Sequence, residues 1–328
     1  MSSPTSPWVG RTRSALDVLI AVVLVSLAVV GALRWLDVTW YPVVVAQTAG
    51  PFVFVGLGLL LVVTLLLRRW WMLVPVAVVT AVAATIAVPS FYAHTSPEAS
   101  RGLTVMSSNL RYGGANALQV MDAVRFHAVD VLVLVEATPD AIARLTADGL
   151  TTELPRQAGE ARPDSFTGTV IFSRYPLTTV SATGDRELEN TDSLQPEVLV
   201  KAPGHTVRLK AVHPAAPTDG RTDLWRAGLD ALTTWKQEAP TTDPVVMAGD
   251  FNASFGHPAF RRLADGLDDA QRTAGDGWVR TWPVVGNRMP PYVQLDHLLS
   301  RDLSVIDAGR IAINGTDHAM VWASYAFR

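Results

Sequence analysis

The 328-residue chain has no cysteine, so disulfides and thiolate metal sites are excluded and any metal must be held by oxygen or imidazole ligands. Charge is almost missing from the first 90 residues, which carry only Arg11, Arg13, Arg34, Arg68 and Arg69 against Asp17 and Asp37. Those residues also lack a polar face, which argues against helices buried in a soluble protein. Internal repeats and low-complexity tracts are absent. The remainder holds the other 22 basic and 28 acidic residues of the chain's 27 and 30, a net −6. Such a balance gives no general attraction to nucleic acid or to an anionic bilayer, although local basic patches can still form.

Long apolar runs are what the first part does contain, and they raise the mean hydropathy of the chain to +0.23. Segments at about 15–33, 43–67 and 70–89 each meet the roughly 20-residue requirement of a membrane-spanning helix. Trp35, Trp40, Tyr41, Trp70, Trp71, Phe91 and Tyr92 sit at their edges, where amphipathic rings prefer the headgroup level. Arg11 and Arg13 precede the first segment and Arg68 and Arg69 link the second to the third, whereas Arg34 is offset by Asp37. The excess of arginine places the N-terminus and the Arg68–Arg69 turn in the cytoplasm and residues beyond 92 on the far side. A cleaved signal peptide at the first segment would reverse that, against the Arg68–Arg69 charge. The expected organisation is a membrane region over 1–92, a tether over 93–101 ("AHTSPEASR") and a globular domain over 102–328.

After the tether, apolar strand-like runs alternate with helical ones. "VDVLVLVEAT" reads as a strand buried on both faces, and "PDAIARLTADG" opens with proline and closes with glycine as helices do. In "ANALQVMDAVRFHAVD" the residues Leu118, Met121 and Val124 mark one helical face, with Phe126 or His127 beside it. The mixture predicts an α/β fold of two packed sheets with helices outside.

Strand after strand then stops at a polar residue: Asn109, Glu136, His213, Asp250 with Asn252, Asp296, and Asp317 with His318. Functional groups collect at strand ends and in the loops beyond. Any one of these has a plain reading as a cap, a solvated terminus or a hydrogen-bonded histidine, and the recurrence is what weighs against it. On an extended chain Asp250 and Asn252 share a face, an oxygen-rich pair suited to a metal, a water or a phosphate. His297 is expected to face away from them as a structural residue, and His257 in "FGHP" is read as a turn residue. Tyr112, Asn116 and Arg288 are weaker candidates for substrate contact, with loop solvation as the competing reading.

The stretches "MSSNLRYGGAN", "VLVLVEAT", "TGTVIFSRYPL", "VHPAAP", "MAGDFNAS", "TWP" followed by "QLDHLLS", and "GTDHAMVWA" resemble, in order, the endonuclease/exonuclease/phosphatase superfamily. The resemblance spans residues 103–325. It implies a four-layer α/β sandwich and hydrolysis of phosphate esters with a divalent cation, Mg²⁺ or else Mn²⁺ or Ca²⁺. Carried over residue by residue, it implies that Glu136 ligates the cation, with Asn109 and Asp317 at the same site. It further implies that Asp250 activates water, Asn252 holds a phosphate oxygen, His213 contacts the phosphate or acts as acid, and Asp296 orients His318. The expected partners are the bilayer and a phosphate ester, a lipid-linked one among the candidates. A surface nuclease is the less favoured alternative, and a catalytically inactive binding domain the third.

Overall fold

Apolar residues without a polar face have only helices open to them if their backbone groups are to be satisfied within the segment. The computed structural model describes residues 7–163, 166–184, 193–284 and 289–328. In it the N-terminal part folds as α1 (Pro7–Ala32), α2 (Tyr41–Gln47), α3 (Gly50–Leu66) and α4 (Trp70–Ala87). Two stretches, Ala15–Trp35 and Trp70–Phe91, are long and apolar enough to cross a membrane; a third exists only if α2 and α3, bent by 59°, count as one span. The expected continuous segment at 43–67 is thus broken. Its break lies where Pro51 enters the first turn of α3, and the buried Gln47 donates from Nε2 to the carbonyls of Leu33 (2.9 Å) and Leu36 (2.7 Å). Arg69 meets Asp17 at 3.3 Å at the opposite end of the helices.

The rest of the chain supplies β1 (Leu103–Asn109), α5 (Ala117–Phe126), β2 (Val131–Val135), α6 (Pro139–Ala147), α7 (Leu150–Glu153), β3 (Arg156–Glu160), β4 (Thr169–Ser173) and β5 (Leu177–Ser181). It continues with β6 (Glu197–Ala202), β7 (His205–Val212), α8 (Thr222–Glu238), β8 (Val245–Asp250), α9 (Pro258–Ala264), β9 (Asp268–Asp269), α10 (Ala270–Thr273), β10 (Asp296–Arg301), β11 (Leu303–Ala312) and β12 (Ala319–Phe327). Two six-stranded mixed sheets result, ordered β11-β12-β1-β2-β4-β3 and β5-β6-β7-β8-β10-β9. Each has one parallel pair joined by a helical crossover, β1–β2 through α5 and β7–β8 through α8.

Alternation along the strands sorts the core. Val246, Ala248 and Leu298 face the gap between the sheets with Val105, Val133 and Val321. Val245, Met247 and Leu299 face outward onto α8 and α9. On the other sheet Leu132, Leu134 and Met320 meet Val120, Met121 and Val124 of α5. The expected face of α5 holds at Met121 and Val124, but Leu118 is exposed and Phe126 lies at 84% exposure, while Val120 and Ala123 are buried with them.

The helices and the sandwich touch at one side. Asp37 pairs with Arg226 and, at 2.7 Å, with Arg262. Phe52 packs edge-on against Trp278 at 5.5 Å between ring centroids. Gly256 lies so close to α2 that a Cβ there would fall 2.1 Å from the Gln47 carbonyl oxygen. The segment expected as a tether is bonded to the sandwich, with the amide of His94 donating to Thr273 (2.7 Å) and that of Ser96 to Val305 (2.8 Å).

His257 is more than the turn residue expected. It is fully buried, its Nδ1 accepts from the Ser254 amide (2.9 Å), and its Nε2 lies 3.0 Å from the Val44 carbonyl of α2. An amide can only donate, so Nδ1 must be bare and Nε2–H must donate to Val44. Burial accordingly pushes its pKa from 6.5 down to about 4. The stability this provides is complete above pH 6.5, where both states are neutral, and is lost as pH falls through about 4. The loss is on the order of 3 kcal/mol. Thermal unfolding of the full chain in detergent should show Tm falling across that interval. His257→Asn, which keeps an acceptor for Ser254 but does not titrate, should flatten the slope; an unchanged slope would refute the assignment.

Candidate active site

Register brings the polar strand ends together. In the antiparallel pair β8–β10 Asp250 stands directly opposite Asp296, on the same face as Ala248 and Leu298 and hence in the gap between the sheets. Asn109 ends β1, Glu136 follows β2, His213 follows β7 and His318 precedes β12. The site lies where both sheets end, and each sheet supplies half of it.

Asn109 is its bridge. The Arg111 amide donates to Asn109 Oδ1 (2.8 Å), which fixes the orientation of the side chain. Nδ2 then donates to Glu136 Oε1 and to Asp250 Oδ2, both at 3.0 Å. Two carboxylates are thereby held against one nitrogen. Glu136 Oε2 accepts from the Tyr112 amide (2.9 Å), and His213 Nε2 lies 3.8 Å from Oε1. Arg111, Tyr112, Glu136 and Asn252 all have φ between 45° and 55°. Left-handed backbone at non-glycine residues is costly and persists where the surroundings enforce it, often at functional sites.

His318 lies between two acids. Nδ1 is 2.9 Å from Asp296 Oδ2 and Nε2 is 3.6 Å from Asp250 Oδ2, with all three residues buried. Burial disfavours the charged ring, but the Asp296 and Asp250 carboxylates outweigh it and push His318 up to about 10. Burial also raises Asp250, with His318 acting against the rise. The ring and Asp250 are therefore coupled, a charged His318 and an ionised Asp250 each favouring the other.

Asp250, Asp296 and His318 offer ligand atoms within 4.8 Å of one another, a spacing compatible with a cation. The protonated ring, however, has no lone pair to give. Glu136 is the better holder: its side chain is 16% exposed and already faces Asp250 across Asn109. Opposed carboxylates repel, and a hard divalent cation relieves them. Asp296 Oδ1 adds a buried carboxylate oxygen with no hydrogen-bond partner among the described residues. The donor set therefore fits such an ion.

Other expected residues fall out differently. Asn252 is not on the strand beside Asp250 but past its end, because its left-handed conformation turns the chain. Its amide donates to Asp250 Oδ1 (2.8 Å), its Nδ2 to the Pro214 carbonyl (3.0 Å), and its own carbonyl accepts from Trp225 Nε1 (3.0 Å). Asn109 Nδ2 serves the two carboxylates, so as arranged it positions ligands instead of being one. Asp317 pairs with Arg111 (3.5 Å) and accepts from Trp282 Nε1 (3.4 Å). Asn116 caps α5, its Oδ1 accepting from the Gln119 amide. The Tyr112 side chain is exposed, and Arg288 lies outside the described residues. His297 does face away: it meets Asp269 (2.6 Å) and the Ala253 carbonyl in the outer layer.

Two buried threonines hold the frame and had not been singled out. Thr281 Oγ1 accepts from the amides of Leu295 and Asp296, and Thr316 Oγ1 donates to the Asn109 carbonyl while accepting from the His318 amide. Both lie in matched stretches, "TWP" and "GTDH", where the eye goes to the larger polar neighbours.

Comparison with known proteins bears on the fold and the family. The Escherichia coli protein YbhP, itself described as uncharacterized, is 26% identical over 208 residues, covering 57% of this chain and 77% of its own. Among solved structures, humanized D. rerio TDP2 superposes with a TM-score of 0.53 at 17% identity, over 69% of this chain and 99% of that one. An endonuclease/exonuclease/phosphatase from Beutenbergia cavernae superposes at 0.50 and 18%, over 70% and 72%. At such identities the superpositions speak to the fold alone. The family model Endonuclease/Exonuclease/phosphatase matches residues 106–318, well over half of the sequence, and the chain belongs to that family.

Proposed function

We propose that this protein is a membrane-anchored, extracytoplasmic phosphoesterase that uses a divalent cation to hydrolyse a phosphate ester with water. The observation that carries the reading is the joined set of Glu136, Asn109, Asp250, Asp296 and His318 in a chain of this family. Glu136 would hold the cation, which once bound would supply charge neutralisation at the phosphoryl oxygens. Asp250, whose affinity for a proton is raised by burial, orients the attacking water and accepts its proton. His318, charged and aligned by Asp296, donates to a phosphoryl oxygen. His213, beside Glu136, and Asn252, through the Nδ2 hydrogen not given to the Pro214 carbonyl, would bind the phosphate.

A lipid-linked ester is the substrate class we favour. The loop that leaves Asp250 runs directly to Gly256 and His257, which pack on α2, so the catalytic rim is continuous with the helices proposed to lie in the membrane. A soluble nucleic acid has no such reason to meet it, and the net −6 beyond residue 90 does not attract one.

Turnover of bis-p-nitrophenyl phosphate and p-nitrophenyl phosphate by the full chain in detergent tests the reaction. Activity with Mg²⁺ or Mn²⁺ should vanish with EDTA and in Glu136→Gln. EDTA-resistant turnover, or an active Glu136→Gln, would overturn the assignment of Glu136; the ratio of the two substrates separates diester from monoester chemistry.

A further inference from the structure

A cavity of about 630 Å³ lies where the N-terminal helices meet the outer side of the second sheet, away from the gap that holds Asp250. Its walls differ from end to end. Val55, Val78 and Val82 line it from α3 and α4 and are themselves exposed, so the apolar end opens sideways between helices. At the other end stand Arg34, Arg261 and Arg272.

None of the three arginines makes an ion pair among the described residues. Asp37, which the sequence sets against Arg34, is instead taken by Arg226 and Arg262. Arg34 Nε is buried without a hydrogen-bond partner among the described residues. Arg261 donates to the carbonyls of Phe255, Gly256 and Arg34, which satisfies three of its hydrogens but not its charge. Arg272 lies over the Phe255 ring at 4.1 Å. Three arginines without an ion pair beside one cavity form a site suited to an anion.

We propose that this cavity binds one anionic phospholipid as a resident ligand, with its phosphate at Arg34, Arg261 and Arg272 and an acyl chain between α3 and α4. The lateral apolar opening selects a hydrocarbon chain over a water-soluble anion. Trp35, Trp278 and Tyr292, all lining the arginine end, mark the headgroup level. The lipid is not the substrate, because Asp250 and His318 face the gap between the sheets while Phe255 belongs to the layer outside. The inference rests on the membrane reading of the helices but not on what the catalytic site cleaves.

The test uses the delipidated full chain in detergent, titrated with phosphatidylglycerol or phosphatidylcholine, with Tm and the number of lipids retained in native mass spectrometry as readouts. Phosphatidylglycerol should raise Tm and be retained at one per chain, at roughly tenfold or better affinity over phosphatidylcholine. Arg34→Gln with Arg272→Gln should abolish that preference and leave turnover of a soluble ester unchanged. Ala83→Trp, which fills the helical end and keeps all three arginines, should abolish retention of either lipid. Equal responses to the two lipids, or a preference that survives the double substitution, would overturn the proposal. Loss of esterase activity with lipid binding intact would instead count only against the catalytic reading.

Discussion

Asp250→Asn should lower phosphoester turnover by about 10²- to 10⁴-fold, the range that a positioned acid or base contributes, while the protein remains folded. The carboxylate is buried and meets three groups at once: the Asn252 amide, Asn109 Nδ2 and, at 3.6 Å, His318 Nε2. An amide can replace only part of this. If its oxygen accepts from Asn252, its nitrogen is turned on Asn109 Nδ2, donor against donor. Asn109 cannot flip to help, because its oxygen is claimed by the Arg111 amide. One buried hydrogen bond is lost, costing about 1–3 kcal/mol, which a sandwich of this size tolerates. Turnover and Tm measured on the same preparation decide the matter. Activity within about tenfold of the parent would remove Asp250 from the chemistry.

Asp296→Asn should be nearly as damaging, by roughly 10²- to 10⁴-fold, without any change in the residues proposed to touch substrate. Asp296 acts through His318: its Oδ2 accepts from the ring Nδ1–H and so directs Nε2 into the site. Asparagine can present either its oxygen or its nitrogen to the ring, and it brings no charge to stabilise the imidazolium. A positioning role predicts that kcat falls while KM stays close to the parent value, because binding of the ground state does not depend on it. A rise in KM at constant kcat would place Asp296 among binding residues instead. His318→Ala combined with Asp296→Asn should be little worse than either alone, since residues acting as a unit are not additive.

Much of this site was legible because strands write their ends plainly. Apolar runs stopping at Asn109, Glu136, Asp250 and Asp296 imply groups gathered at one edge, and the two-sheet fold gathers them there. What the pattern could not convey is backbone that leaves the strand. Asn252 was placed by alternation, but its left-handed φ of 49° puts it in a turn, where alternation no longer applies. The face of α5 is legible at Met121 and Val124 but not at its ends: Leu118 and Phe126 are equally apolar, and only the neighbouring sheet decides which are covered. The break at 47–50 had a signal in Gly50–Pro51, overridden by the hydropathy around it. His257 had none, since its partner Val44 is 213 residues away in sequence.

The close approach of Gly256 to the Gln47 carbonyl has a consequence for how substrate is found. At Gly256 no side chain fits between the loop and α2, and the amides of His94 and Ser96 tie the following segment to the sandwich as well, so the joint has little slack. With the helices embedded as proposed, the catalytic mouth would ride at one fixed height above the bilayer and sweep a plane, not a sphere. Its encounters would then be set by lateral diffusion and by surface density, and dilution of the surrounding water would leave them unchanged.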